Sequence, residues 1–241
     1  MDRTDRFLPK YYQISLEIMG QIREGMIGPG SRIPSENEII SSYDVSNTTA
    51  RKVLQEIEKA GLVEKIRGKG TFVKEFVVER AATKVLGFTR NMTEQGLNPG
   101  TRVIDSELLQ EDVPVKVSGR TYRIQGPVFK LRRLRLANRV PMMHETRYIS
   151  AVFCPGIADQ DLEGSLYHIY REVFHQTITE IKQDLSAIIL DEESKRFFEL
   201  DSEIPGMRVV GVTFCGKELV LEGEESIYRG DRYRFGVNAT P

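Results

Sequence analysis

Apolar side chains near the start of the chain recur at helical spacing. Ile14, Ile18 and Ile22 lie four residues apart inside the segment 11–25, which predicts an amphipathic helix with one buried stripe. The sequence Gly28-Pro29-Gly30 follows. Because glycine and proline interrupt helices, the helix is expected to end before this point.

Two shorter helical patterns come next. Ser35 and Glu38 have the spacing of a capping box, which predicts a helix over residues 36–43. Ser46 is a candidate N-cap for a third helix. The apolar face of that helix consists of Ala50, Val53, Leu54 and Ile57. Two short helices joined by a tight turn predict a helix-turn-helix.

Strand-like alternation replaces helical spacing in residues 62–73, on both sides of a glycine-rich turn. This pattern predicts a β-hairpin with Arg67, Gly68 and Lys69 at its tip. A basic loop that contains glycine can approach phosphates, because glycine removes steric hindrance and the charges release counterions. The hairpin is therefore interpreted as the wing of a winged helix-turn-helix.

The polar face of the third helix is a candidate DNA-reading surface. Asn47, Thr48, Arg51 and Gln55 project together from it, as base-contacting side chains do on a recognition helix. A merely solvated face is the alternative interpretation. The whole chain has a net charge of -1, but residues 51–74 contain seven basic residues against three acidic ones. This local excess favours a nucleic-acid partner.

The rest of the chain has the patterns of strands interleaved with a few helices. The predicted elements are hairpins at residues 128–149 and 207–228, with turns at 137–139 and 216–217, and helices at 165–174 and from Asp191 onward. Long antiparallel hairpins with helices on one face indicate an α+β fold.

The length of 241 residues suggests two domains. We predict a winged helix-turn-helix over residues 1–74 and a second domain over residues 84–241. The linker between them, residues 75–83, lacks glycine and proline, so it is expected to be a short, ordered connection.

Arg133 and Arg135 lie two apart on a predicted strand, so both side chains leave the same face. Two adjacent cations are unfavourable unless an anion joins them. Glu145 lies on the partner strand, and Ser165 at a helix start, where backbone N–H groups favour an anion. These residues form a candidate anion site; a solvent-facing edge with screened charges is the alternative.

Composition excludes several classes of protein. No run of about 20 apolar residues is present, and the first residues, MDRTDRFLPK, do not resemble a secretory signal. A soluble, cytoplasmic protein is expected. The two cysteines, Cys154 and Cys215, are too few for a disulfide framework and lack metal-ligand spacing. We expect no metal and no cofactor.

The motifs PKYYQI, GMIGPGSRIPSENEI, YDVSNTTARKVL and EKIRGKGTFV resemble the DNA-binding domain of the GntR family of bacterial regulators over residues 9–73. The resemblance implies that Ser46, Thr48, Thr49 and Arg51 contact phosphates or bases, with Arg67 and Gly68 at the wing. Asn37 and Asn47 stand where the family usually has arginine, and asparagine suits adenine rather than guanine. The predicted DNA-binding set is Ser35, Asn37, Ser46, Asn47, Thr48, Thr49, Arg51, Arg67, Gly68 and Lys69.

The motifs GFTRNM, RRLRLA, VPMMHETRYI, GSLYHIY and SIYRGDRYRF resemble the effector-binding domain called UTRA, found in the HutC subgroup of GntR regulators, over residues 84–237. The resemblance implies a chorismate-lyase-like α/β fold and a ligand such as a phosphosugar or a small carboxylate. Arg90 stands where a small or acidic residue is expected. The predicted effector-binding set is Thr89, Arg90, Arg133, Arg135, Glu145, Ser165, Tyr167, Glu222 and Tyr228.

The hypothesis is therefore a repressor that binds palindromic double-stranded operator DNA as a homodimer and responds to a small anionic metabolite. An enzyme is one alternative, although no G-x-S-x-G, P-loop or H-E-x-x-H motif is present. A metal sensor is another, because His168, Glu172 and His175 have helical spacing. A purely architectural DNA-binding protein would not explain the large second domain.

Overall fold

A computed structural model describes residues 8–81 and 87–237. The chain divides into two units, Met1–Phe76 and Val77–Pro241. Residues 82 and 83 of the predicted linker, and 84–86 at the start of the predicted second domain, lie outside the described residues.

The first unit is a three-helix bundle with a hairpin, and all its predicted elements are confirmed. The elements are α1 (Lys10–Arg23), α2 (Glu36–Tyr43), α3 (Asn47–Lys59), β1 (Val63–Ile66) and β2 (Gly70–Val73). The isoleucine stripe of α1 packs with Ile39 of α2 and with Val53 and Ile57 of α3. Each of these three partners is 0% exposed, so the helical spacing of the sequence marks the core of this unit.

Helix caps set the geometry of the helix-turn-helix. The Ser35 hydroxyl accepts a hydrogen bond from the Glu38 N–H at 3.3 Å, and the Glu38 carboxylate accepts one from the Ser35 N–H at 2.7 Å, which completes the predicted capping box. Asp44 ends α2 with a left-handed φ of 49°. Ser46 then caps α3 by accepting from the Thr49 N–H, so the turn needs only three residues.

The second unit is built on a six-stranded antiparallel sheet, which confirms the α+β class. The strand order is β4-β7-β8-β11-β10-β9. Its elements are β3 (Val78–Ala81), α4 (Phe88–Glu94), β4 (Pro99–Leu109), β5 (Val113–Val117), β6 (Arg120–Ile124), β7 (Val128–Ala137), β8 (Val140–Ser150), α5 (Leu166–Glu172), β9 (Glu180–Ile189), α6 (Glu192–Phe198), β10 (Pro205–Gly216), β11 (Leu219–Arg229) and β12 (Tyr233–Gly236). Strands β5 and β6 form a hairpin, and β3 pairs with β12 in parallel.

The two long hairpins lie where the alternation predicted them. Asn138 and Arg139 turn β7 into β8 with positive φ angles of 47° and 63°. The second turn falls one residue later than predicted, since Gly216 still belongs to β10 and Glu218 has the positive φ. Helix α5 also ends earlier than predicted, at Glu172.

Part of the predicted linker is a strand of the second unit. Val78 is 0% exposed, and its N–H donates to the carbonyl of Arg232 at 2.9 Å. The register then continues in parallel from Tyr233↔Val78 onward. Residues 78–81 therefore do not form a free connection, because their backbone groups pair with β12.

Candidate functional site

The first turns of α3 present a polar, exposed surface. Asn47, Thr48 and Arg51 are exposed, whereas Ala50 and Val53, on the other side of the same turns, are 0% exposed. The helix therefore buries one face in the unit and leaves the predicted DNA-reading face open. Hydrogen-bonding side chains at an exposed helix start can address base edges in a major groove.

The wing adds a basic tip to the same unit. Arg67, Gly68 and Lys69 are all exposed, and Gly68 takes a left-handed φ of 76°, which glycine adopts without steric cost.

The Arg51 Nε lies 3.5 Å from Glu36 Oε1 in an exposed ion pair. Such a pair contributes little to stability, so Arg51 can exchange this carboxylate for a DNA phosphate or base at low cost.

Two of the predicted DNA-binding serines also shape the helices. The hydroxyls of Ser35 and Ser46 accept backbone N–H groups as caps of α2 and α3, and the Ser46 Oγ lies 3.0 Å from Thr49 Oγ1. Asn37 is exposed on α2. The caps direct the N-terminal ends of both helices, where free N–H groups favour phosphate.

The second unit contains a pocket beside the β7–β8 hairpin. Seven of the nine predicted effector-binding residues line it: Thr89, Arg133, Arg135, Glu145, Ser165, Tyr167 and Tyr228. The other lining residues are Arg80, Gly87, Phe88, Asn91, Met143, Arg147, Leu166 and Tyr233. Four arginines and one carboxylate thus line the pocket, and two further buried carboxylates, Glu222 and Glu224, pair with Arg147 at 3.0 and 2.8 Å.

Glu145 is the carboxylate that three arginines of the pocket share. It lies opposite Arg133 in the strand register and accepts from the Arg133 Nε at 2.9 Å and from the Arg147 Nε at 2.8 Å, while the Arg135 Nη1 lies 3.6 Å from its Oε1. The carboxylate is 2% exposed. Burial raises the pKa of Glu145, but attraction to the three guanidinium groups outweighs burial and holds that pKa below its ordinary value.

Arg135 is the least satisfied cation of the pocket. It is 2% exposed, donates from Nη2 to Thr89 Oγ1 at 2.9 Å and lies over the Phe88 ring. Among the described residues no acceptor meets its buried Nε. Burial, with repulsion from Arg133, lowers the pKa of Arg135 to about 10. A buried cation with an unused donor is suited to an incoming anion.

Two predicted effector residues lie outside the pocket lining. Arg90 is exposed on α4, and its Nε donates to Glu94 at 2.8 Å. Glu222 is 0% exposed and accepts from the Tyr170 hydroxyl at 2.6 Å and from Arg147 at 3.0 Å. Burial raises the pKa of Glu222. Its position behind Arg147 makes Glu222 a support for the pocket wall.

Sequence reasoning missed several lining residues. Arg147 lies two positions after Glu145 on β8, so the same-face rule applied to Arg133 and Arg135 would have found it. Asn91 and Tyr233 join through a hydrogen bond of 3.3 Å between distant segments, which no local pattern predicts. Arg80 lies inside the segment that we interpreted as a linker.

Two family models match the chain. The model described as bacterial regulatory proteins, gntR family, matches residues 10–73, and the UTRA domain model matches residues 94–234. The chain belongs to the GntR family and carries a UTRA domain. This pairing agrees with the HutC-like type predicted from the motifs.

Known relatives of this GntR protein match it over nearly its whole length. The HTH-type transcriptional repressor NagR of Bacillus subtilis (strain 168) is 29% identical over 231 residues, which cover 95% of this chain and 93% of that one. The mannosyl-D-glycerate transport/metabolism system repressor MngR of Escherichia coli (strain K12) is 25% identical, with 96% of each covered. The crystal structure of PhnF from Mycobacterium smegmatis has the same fold, with a TM-score of 0.61 at 22% identity, over 94% of this chain and 99% of that one.

The family and the relatives confirm that the chain is an effector-controlled transcriptional regulator. This GntR protein is a DNA-binding transcriptional regulator controlled by a small-molecule effector bound in its UTRA domain. The family and its named relatives are regulators and not enzymes. Among the described helices, none is both long and apolar enough to cross a bilayer.

The metal-sensor alternative required three ligands on one helix. Helix α5 of this UTRA domain ends at Glu172, and His175 lies beyond it with a left-handed φ of 54°. Glu172 pairs with Arg171 at 2.6 Å. Within residues 8–81 and 87–237, no three His, Cys, Asp or Glu side chains are grouped so as to hold a metal ion.

Proposed function

We propose that the chain is a homodimeric repressor in the cytoplasm, whose affinity for a palindromic operator falls when a small anionic metabolite binds the UTRA pocket. One observation carries the ligand class: Arg135 is buried with an unpartnered Nε, in a pocket with four guanidinium groups and one carboxylate. A phosphate or carboxylate group would supply the missing acceptor and offset the excess positive charge.

The name of one relative supports a sugar-derived anion as the effector. The name of MngR refers to mannosyl-D-glycerate, a compound that combines a sugar with a carboxylate. In the pocket of this chain, Thr89, Ser165 and Tyr167 supply hydroxyl groups near the arginines. Hydroxyls can donate to and accept from sugar hydroxyls. We therefore propose a phosphosugar or a sugar-linked carboxylate as the effector.

The DNA-binding part of the proposal uses two copies of the first unit. In each copy Asn47, Thr48 and Arg51 would face one half-site, with Arg67 and Lys69 of the wing on the flanking backbone. A single small head binds too weakly for gene control, whereas two linked heads multiply their affinities. A two-fold dimer in turn requires a palindromic operator.

The ligand class is tested by thermal denaturation with inorganic phosphate, glucose 6-phosphate, fructose 6-phosphate and glycerate, and with neutral glucose for comparison. At least one anion is expected to raise the melting temperature, since a ligand present at 100 times its Kd stabilises by about 2.7 kcal/mol. Glucose is expected to give no shift. The variant Arg135→Met is expected to abolish the shift and yet to melt no lower than the wild type without ligand, because it removes a desolvated cation.

The matched control is Arg132→Met. Arg132 lies next to Arg133 on β7, and it pairs with Asp105 and Glu193 instead of lining the pocket. This variant is expected to keep the anion-induced shift. The proposal is wrong if no anion stabilises the wild type, or if Arg135→Met responds to the anion as the wild type does.

A further inference from the structure

Arg80 lines the effector pocket but belongs to neither matched domain. The GntR match ends at residue 73 and the UTRA match begins at residue 94. Arg80 lies between them on β3, the short strand that opens the second unit. The pocket of this chain therefore includes a cation from outside the UTRA match.

The contacts of Arg80 leave its charge without a carboxylate. Its Nη1 donates to the Tyr228 hydroxyl at 2.5 Å, and its guanidinium carbon lies 5.9 Å from the centre of the Tyr228 ring and 5.7 Å from that of Phe235. In the described part of the chain, no aspartate or glutamate forms an ion pair with Arg80. Attraction to Tyr228, and to a smaller extent to Glu224, keeps the pKa of Arg80 above its ordinary value despite burial. Arg80 is thus a charged group held by a phenol and two aromatic faces, which are weaker partners than an anion.

The strand that carries Arg80 is short and is tied to the pocket wall. Gln95, at the end of α4, holds both backbone groups of Glu79, accepting from its N–H at 3.0 Å and donating to its carbonyl at 2.8 Å. Phe235 lies opposite Arg80 in the parallel pairing with β12. Because β3 has only four residues, a change in the position of the Arg80 side chain is expected to move the whole strand.

The same strand adjoins the DNA-binding unit in the chain. Val78 begins β3, and Phe76 is the last residue of the first unit. Only Val77 separates them. Residues 74–77 separate β3 from β2, the last strand of the first unit, so a displacement of β3 reaches that unit through a four-residue segment that lacks glycine and proline.

We propose that Arg80 is an additional effector-binding residue and couples the pocket to the DNA-binding unit. The anionic group of the effector draws the guanidinium away from Tyr228, β3 shifts with it, and the chain entering the first unit is displaced. The inference rests on the proposed function, since it requires an anionic effector. A cation that only stacks on Tyr228 and Phe235 would leave ligand binding and operator release unchanged.

The test compares the wild type with Arg80→Gln, Arg80→Lys and Arg234→Gln. Arg234 lies exposed on β12, the partner strand of β3, so its replacement is the matched control for charge in the same small sheet. Two quantities are measured in the full-length chain. They are the Kd of each anionic probe (inorganic phosphate, glucose 6-phosphate, fructose 6-phosphate and glycerate) by calorimetry, and the operator affinity without probe and at a saturating probe concentration.

Arg80→Gln is expected to weaken binding of the anion about tenfold or more, as loss of a charged hydrogen bond does. At saturation the probe is expected to reduce the operator affinity of Arg80→Gln by less than about threefold relative to the same variant without probe, against at least about fivefold in the wild type. Arg80→Lys keeps the charge. Its probe affinity and its probe-induced loss of operator affinity are expected to lie between those of the wild type and those of Arg80→Gln. Arg234→Gln is expected to behave as the wild type.

Normal probe affinity together with normal operator release in Arg80→Gln would overturn the inference. If Arg80→Gln binds the probe more weakly but still releases the operator fully at a saturating probe concentration, Arg80 binds the effector and does not couple the pocket to the DNA-binding unit. If Arg80→Gln does not fold, Arg80→Lys decides the same question, because wild-type values for both quantities in that variant contradict a specific guanidinium contact. A wild type that binds none of the anionic probes contradicts the proposed function itself.

Discussion

The double variant Arg51→Ala, Arg67→Ala is expected to lose about 10³-fold in operator affinity. Each arginine would occur twice in the proposed dimer, and each good base or phosphate contact is worth about 1 kcal/mol or more. Both side chains are exposed and neither takes part in the core of the first unit. The loss is therefore expected without a change in the melting temperature of the chain.

The measurement uses a duplex that the wild type selects from random-sequence DNA, with binding followed at several salt concentrations. Loss of phosphate contacts lowers the salt dependence of log K by roughly 1 for each contact. Lys59→Ala is the matched control, because Lys59 is exposed at the far end of α3 and pairs with Glu56. If the double variant binds like the Lys59→Ala control, the winged helix is not the DNA-binding surface.

Glu145→Ala is expected to destabilise the second unit by about 3–5 kcal/mol, the range measured when one partner of a buried ion pair is removed. The replacement leaves Arg133, Arg135 and Arg147 in a buried pocket without their shared carboxylate. The measurement is denaturant unfolding followed by circular dichroism. Glu94→Ala removes an exposed carboxylate that pairs with Arg90, and it is expected to cost less than about 1 kcal/mol.

The pH dependence provides a second readout for Glu145. The folded pKa of Glu145 lies below the ordinary value of 4.5. The carboxylate therefore contributes its full stabilisation above about pH 4.5, and that contribution declines as the pH falls below this value towards the folded pKa. Glu145→Ala is expected to lose this part of the acid dependence. A variant that unfolds within 1 kcal/mol of the wild type, with the same acid dependence, would contradict the account of the pocket.

Local patterns predicted the parts of this structure that depend on neighbours in the chain. The isoleucine stripe, the Ser35–Glu38 capping box and the glycine wing each need only a few consecutive residues. The shared face of Arg133 and Arg135 follows from the two-residue period of a strand. Because a hairpin brings its two strands together through one turn, Glu145 could be placed opposite them from sequence alone.

Features that depend on distant segments were not predictable in this way. Arg80 enters the pocket because β3 pairs with β12, more than 140 positions later in the chain, and its own segment has no motif. Glu222 lies one layer behind the pocket because Tyr170 and Arg147 hold it there. Arg90 comes directly after Thr89, which lines the pocket. Because successive residues of a helix point in different directions, the Arg90 side chain leaves the pocket and pairs with Glu94.

Reciprocal binding tests the central claim, that the pocket controls the DNA-binding unit. The Kd of the stabilising anion is measured for the free chain and for the chain saturated with operator, and the operator Kd is measured with and without that anion. Thermodynamic linkage requires both ratios to be equal, and we expect a factor of about 5–150. Identical anion affinities in the free and the operator-bound chain would contradict the account.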